Sequence, residues 1–68
     1  MTVAISFARV FARAEGKDVL GHLKHLTQER VLPADASDSE LRFLEGQRAL
    51  VALIEALIKQ GQQEGEIR

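Results

Sequence analysis

The chain contains no cysteine, no tryptophan and no tyrosine, and it has a single proline in 68 residues. Without thiols no disulfide can staple a small fold, and no thiolate can hold a structural zinc. Aromatic character rests on Phe7, Phe11 and Phe43 alone. A charge excess is also missing. Nine basic and ten acidic residues leave a net charge of -1, so the strongly basic footprint of a nucleic-acid binder is absent. Long hydrophobic runs are lacking as well. A membrane-spanning helix needs about 18 uncharged apolar residues, and the longest stretch here, Ala49 to Leu57, is interrupted by Glu55. The first residues carry only short apolar runs, so no secretory leader is expected. The absence of cysteine fits a cytosolic protein.

What remains is strongly apolar. Hydrophobic residues make up 46% of the chain, too many for a disordered segment. The length allows one small domain, and domains of this size are marginal without a disulfide, a metal, very regular helices or self-association. With the first excluded, helical regularity or self-association must supply the stability.

The periodicity is helical almost throughout. Val3, Phe7, Val10, Phe11 and Ala14 share one face, which predicts a helix over 3–13 with that face inward. Ile5 points away from it and reads as an exposed apolar contact. Val19, Leu20, Leu23 and Leu26 form a second stripe, predicting a helix over 15–29. Asp18, His22, His25, Gln28 and Glu29 lie on its other side. A bend is expected between Arg13 and Gly16. Gly16 either caps the first helix or sits in the opening turn of the second.

Residues 31–37 form a linker, because Pro33 cannot continue a helix and holds Leu32 extended. Val31 and Leu32 are expected to tuck beneath it. Ser37 and Glu40 have the spacing of a capping box and open a third helix over 38–60. Gly61 is a natural stop. The expected organisation is a single helical domain over 1–61 and a flexible tail over 62–68.

On the third helix Leu44, Val51, Ile58, Ile54, Phe43, Leu50, Leu57 and Leu53 spread over about half the circumference, wider than an ordinary apolar stripe. Two short helices lying side by side would cover that width. The expected fold is therefore all-α: a three-helix bundle with two short helices packed on one long C-terminal helix. Its core would hold Phe7, Phe11, Leu20, Leu23, Leu44, Leu50, Leu53, Ile54 and Leu57. The polar side carries Arg42, Glu45, Arg48, Glu55 and Lys59, with Glu55 and Lys59 spaced as an ion pair. Ala49, Ala52 and Ala56 make a small-residue flank.

Few residues suggest chemistry. His22 and His25 could share a metal, but no further histidine and no cysteine exists to complete a site. They read as solvated surface groups. The acidic pairs Glu15 with Asp18 and Asp38 with Glu40 sit at helix starts, where carboxylates are favourable without any catalytic role. No Ser/His/Asp pattern or glycine-rich phosphate loop is present. No catalytic residue, metal or cofactor is expected, and the chain reads as no enzyme.

Gly46 stands out. Inside a helix it costs about 1 kcal/mol relative to alanine, and it lies in the apolar arc. It marks either close packing, under Phe7 or Phe11, or contact with a partner. Gln47 lies in the same arc and must be hydrogen-bonded if buried. Glu45 and Arg48 are spaced as a weak surface ion pair. The alternative places the planar fork of Arg48 on a partner carboxylate or phosphate. The candidate contact or packing residues are thus Ile5, Glu45, Gly46 and Arg48.

Phe7-Ala-Arg-Val10-Phe11, then Gly16-Lys-Asp-Val19-Leu20, then Phe43-Leu44-Glu45-Gly46-Gln47-Arg48-Ala49 resemble the pattern of a family of small tailed-phage and prophage proteins named after a Bordetella bacteriophage product. The likeness covers about residues 7 to 58. Its most specific part is Glu45 to Ala49. Arg13-Ala14 departs from it, standing where the family often has a helix cap and proline. The resemblance implies phage or prophage origin and a role among virion or assembly proteins. No activity carries over from it, and it suggests that Glu45, Gly46 and Arg48 act together.

The expected function is a non-enzymatic protein-interaction or assembly module of phage or prophage origin. It would work through helix faces and self-associate, with a phage or host protein as partner. Its expected location is the cytoplasm of the bacterial host or the virion, not the membrane. The alternative is a small DNA-associated regulator of helix-turn-helix type, reading DNA with Lys17, His22, Lys24, His25 and Gln28.

Overall fold

Thr2 starts the first helix. Its extended backbone and side-chain oxygen, which accepts from the Ile5 amide at 3.3 Å, cap α1, Val3–Ala12. The computed structural model describes residues 2–66. Arg13 interrupts the helical path with extended backbone (φ -74°, ψ 154°), serving at once as C-cap of α1 and N-cap of α2, Ala14–Thr27. The expected bend is therefore one residue long, and Gly16 lies in the first turn of α2.

Thr27 ends α2 and turns its hydroxyl back to the Leu23 carbonyl at 2.7 Å. In the linker the Ala36 amide donates to the Pro33 carbonyl at 3.0 Å, closing a turn. Of Val31 and Leu32, only Leu32 turns partly inward. Val31, expected beneath the loop, is 89% exposed. The Glu40 amide donates to Ser37 Oγ at 3.2 Å, the first half of the expected capping box. From there α3 runs over Asp38–Glu66, 29 residues and about 43 Å long.

This helix does not stop at Gly61. The expected boundary at residue 60 and the tail beginning at 62 are corrected: α3 continues through Gly61 to Glu66. The reason is tertiary. A side chain on Gly61 would collide with the Ala4 backbone and come within 2.9 Å of Ala8 Cβ, so α1 is seated directly on the glycine. That packing offsets the poor helix propensity of glycine. Ile67 and Arg68, also assigned to the tail, lie outside the described residues.

The fold is the expected all-α arrangement of two short helices on a long one. α1 makes the more extensive contact with α3, and α2 packs on both. A second close crossing joins α1 to α2, where a Cβ on Gly16 would overlap the Val10 carbonyl and lie 2.8 Å from Phe11 Cα.

The core is smaller than expected and differently oriented. Its buried apolar residues are Ala4, Ile5, Leu44 and Val51. Leu44 is where the sequence places it. Phe7, Phe11, Leu20, Leu23, Ile54 and Leu57 are only half-buried. Leu50 and Leu53, also expected inside, are 60% and 55% exposed. α1 is rotated from its expected orientation. Ile5, taken as an outward contact, is 9% exposed, while Val3 and Val10 are open to solvent. The small Ala4 and Ala8 allow the backbones to close on Gly61, an approach that the bulkier Phe7 row would prevent.

Candidate functional site

Arg48 is the most constrained of the polar residues singled out from the sequence. Its Nε donates to the Thr27 carbonyl at 2.8 Å and its Nη2 to the Arg30 carbonyl at 2.6 Å. The carbonyls at a helix C-terminus lack intrahelical partners and carry partial negative charge. The guanidinium fork bonds the last carbonyl of α2 and that of Arg30 in the linker beyond it, tying the end of α2 to α3. Arg48 makes this bond in place of the expected pair with Glu45, which is exposed. Glu55 likewise accepts from Gln28 Nε2 at 3.1 Å, a second tie between these elements, in place of Lys59.

Gly46 has nothing within 4 Å of the position its Cβ would occupy, so neither Phe7 nor Phe11 closes on it. The four residues do not form one site. Arg48 turns inward to α2, Glu45 and Gly46 face solvent, and Ile5 is buried on the inner side of α1. The close-approach glycines are instead Gly16 and Gly61. The sequence signal for them was their place near the ends of apolar stripes, which also fits a helix cap.

His22 and His25 are exposed, and His25 Nδ1 lies 3.3 Å from Glu29 Oε1. Among the described residues no group of three or more His, Cys, Asp or Glu is placed to hold a metal ion. Nor is any described helix long and apolar enough to cross a membrane. Glu64 accepts from the Thr2 hydroxyl and from Gln60, and these bonds, that from Thr2 foremost, hold its carboxyl below the ordinary value. This contact ties the N-terminus of α1 to the last turns of α3.

The larger feature is apolar. Phe43, Leu50, Ile54, Leu57 and Gly61 follow one stripe along α3. α1 is seated at the Gly61 end. Toward the other end the stripe is open, with Phe43 68% exposed. Beside it, Leu23, Leu26, Thr27, Gln47, Leu50 and Val51 line a groove between α2 and α3. On α1, Val3, Ser6, Phe7, Val10 and Phe11 line a second hollow, with the two rings stacked at 6.2 Å. The opposite flank of α1, through Ile5, Ala8 and Ala12, meets Gly61, Gln62 and Gly65. The Phe7 and Phe11 row lies on another side of α1. The open stripe on α3 and the groove beside it make one apolar ledge. Ala49, Ala52 and Ala56 lie exposed on the same helix.

The family model described as Bbp19-like phage protein matches residues 7–63 of this chain. No curated protein and no solved structure matches it.

Proposed function

The chain belongs to the Bbp19-like phage protein family, and from that premise we propose that it is a non-enzymatic interaction module that acts in phage assembly through its helix faces. The observation that carries this reading is the open apolar ledge along α3, on which Phe43 and Leu50 are 68% and 60% exposed. The groove beside it is lined mainly by aliphatic side chains, the lining of a protein contact rather than of an acid–base site. A protein of the phage or its host, or another copy of the chain, would cover the ledge. The site of action is then the bacterial cytoplasm or the virion.

A photo-reactive phenylalanine analogue at position 43 tests this in a bacterium carrying the phage or prophage. The expected result is a discrete protein adduct, absent when the analogue replaces Val31. Equal labelling at the two positions overturns the reading. The DNA-associated alternative rests on Lys17, His22, Lys24, His25 and Gln28 of α2. Binding to duplex DNA that persists at near-physiological salt and weakens as salt rises would favour it.

A further inference from the structure

The isolated chain exposes more surface than its mass warrants. Folded monomers of 7.5 kDa expose about 4,200 Å², whereas this chain exposes 5232 Å². The excess is about 1,000 Å², against the roughly 800 Å² that each partner contributes to a standard stable interface. The radius of gyration agrees: 14.6 Å against about 11 Å for a compact chain of this length. The excess is of the size that one interface of ordinary extent covers. The net charge of -1 leaves little repulsion between copies.

We propose that the ledge binds a second copy of the chain in a twofold dimer, with the two α3 helices antiparallel and crossing near Leu50. This deepens the interaction-module reading and rests on it. A twofold contact uses the same patch on both subunits, so the patch must complement itself. The order of residues along α3 meets that condition. With Leu50 near the axis, Phe43 lies about 10 Å from it along one helix and Leu57 the same distance along the other. Phe43 of each copy then approaches Leu57 of the other. Gly46 comes opposite Ile54. Its missing side chain, which nothing within the single chain explains, lets the second helix approach closely.

Sedimentation equilibrium of the full chain tests the proposal. The expected mass is twice that of the monomer at tens of micromolar. Leu50→Arg should weaken association at least 100-fold, and Val31→Arg should leave it unchanged. Because Leu50→Arg could unfold a dimer-dependent chain, a milder variant provides a second readout. The chain has no cysteine, so Leu50→Cys introduces one thiol close to the axis. It should oxidise to a covalent dimer at least 10-fold faster than Val31→Cys, with helical circular dichroism retained. A wild-type monomer at hundreds of micromolar overturns the proposal. So does an assembly larger than a dimer, or a Leu50→Cys rate no faster than that of the control. If the chain is monomeric yet position 43 cross-links another protein, only the dimer is lost. If neither occurs, the interaction reading falls with it.

Discussion

The backbone carbonyl of Ala4 occupies the space that a side chain on Gly61 would fill. Alanine is the better helix former by about 1 kcal/mol, so Gly61→Ala should stabilise α3 if local propensity ruled. The methyl group would instead force α1 away from its seat, and overpacking of this kind costs about 1–3 kcal/mol. Gly61→Ala should therefore lower stability, read as a lower midpoint of urea unfolding. Gly16→Ala, against the Val10 carbonyl, should act in the same direction.

Gly46→Ala separates folding from association. With open space around the glycine, the substitution should raise the helical stability of the single chain by about 0.5–1 kcal/mol. The same methyl group, placed between two closely apposed helices, should weaken the dimer. Unfolding measured across a range of protein concentrations distinguishes the two effects.

Arg48→Ala removes both donors from the carbonyls of Thr27 and Arg30. Hydrogen bonds from a charged group contribute about 1.5–3 kcal/mol each when well buried. The site is half-exposed, so the expected loss is about 1–2 kcal/mol after allowing for solvent. Arg48→Lys keeps the charge but loses the fork and should recover only part of it. Loss of amide protection in the last turn of α2, by hydrogen exchange, would locate the effect.

Glu64 sets an expectation for pH. Its carboxyl is held below the ordinary range in the folded chain by the Thr2 and Gln60 hydrogen bonds. A depressed folded pKa contributes stability that is present above the unfolded value and is lost as pH falls through the folded one. The thermal midpoint of the wild-type chain should therefore fall more steeply below about pH 4 than that of Glu64→Gln. Parallel acid limbs for the two proteins would contradict the linkage.

The architecture was legible in the sequence because long helical periodicity, one proline and a capping serine mark the elements directly. The orientation of α1 was not. Its residues are apolar around most of the circumference, so periodicity favours the bulkier face of Phe7 and Val10 although the chain buries Ala4 and Ile5. The decisive fact was the small size of Ala4 and Ala8 opposite Gly61, a relation between residues far apart in the chain. Gly61 misled for the same reason: a glycine that ends a helix and a glycine that admits a crossing helix look alike in one dimension. Arg48 was identifiable as a residue with a specific task. Its target was the backbone of another helix, which no side-chain pattern encodes.

Arg13 is the whole of the joint between α1 and α2. A residue inserted there would shift and turn α2 relative to α1 and carry Gly16 out from under the Val10 carbonyl. That joint has no spare length, and its two helices keep phase with each other like the teeth of a gear. The stretch from 31 to 37, past the carbonyl that Arg48 holds, is a different kind of connection, running over the surface with most of its residues exposed and tolerant of added length at little cost. Natural or engineered insertions should therefore accumulate in the second joint and be absent from the first. A peptide tag or reporter belongs between Leu32 and Ser37.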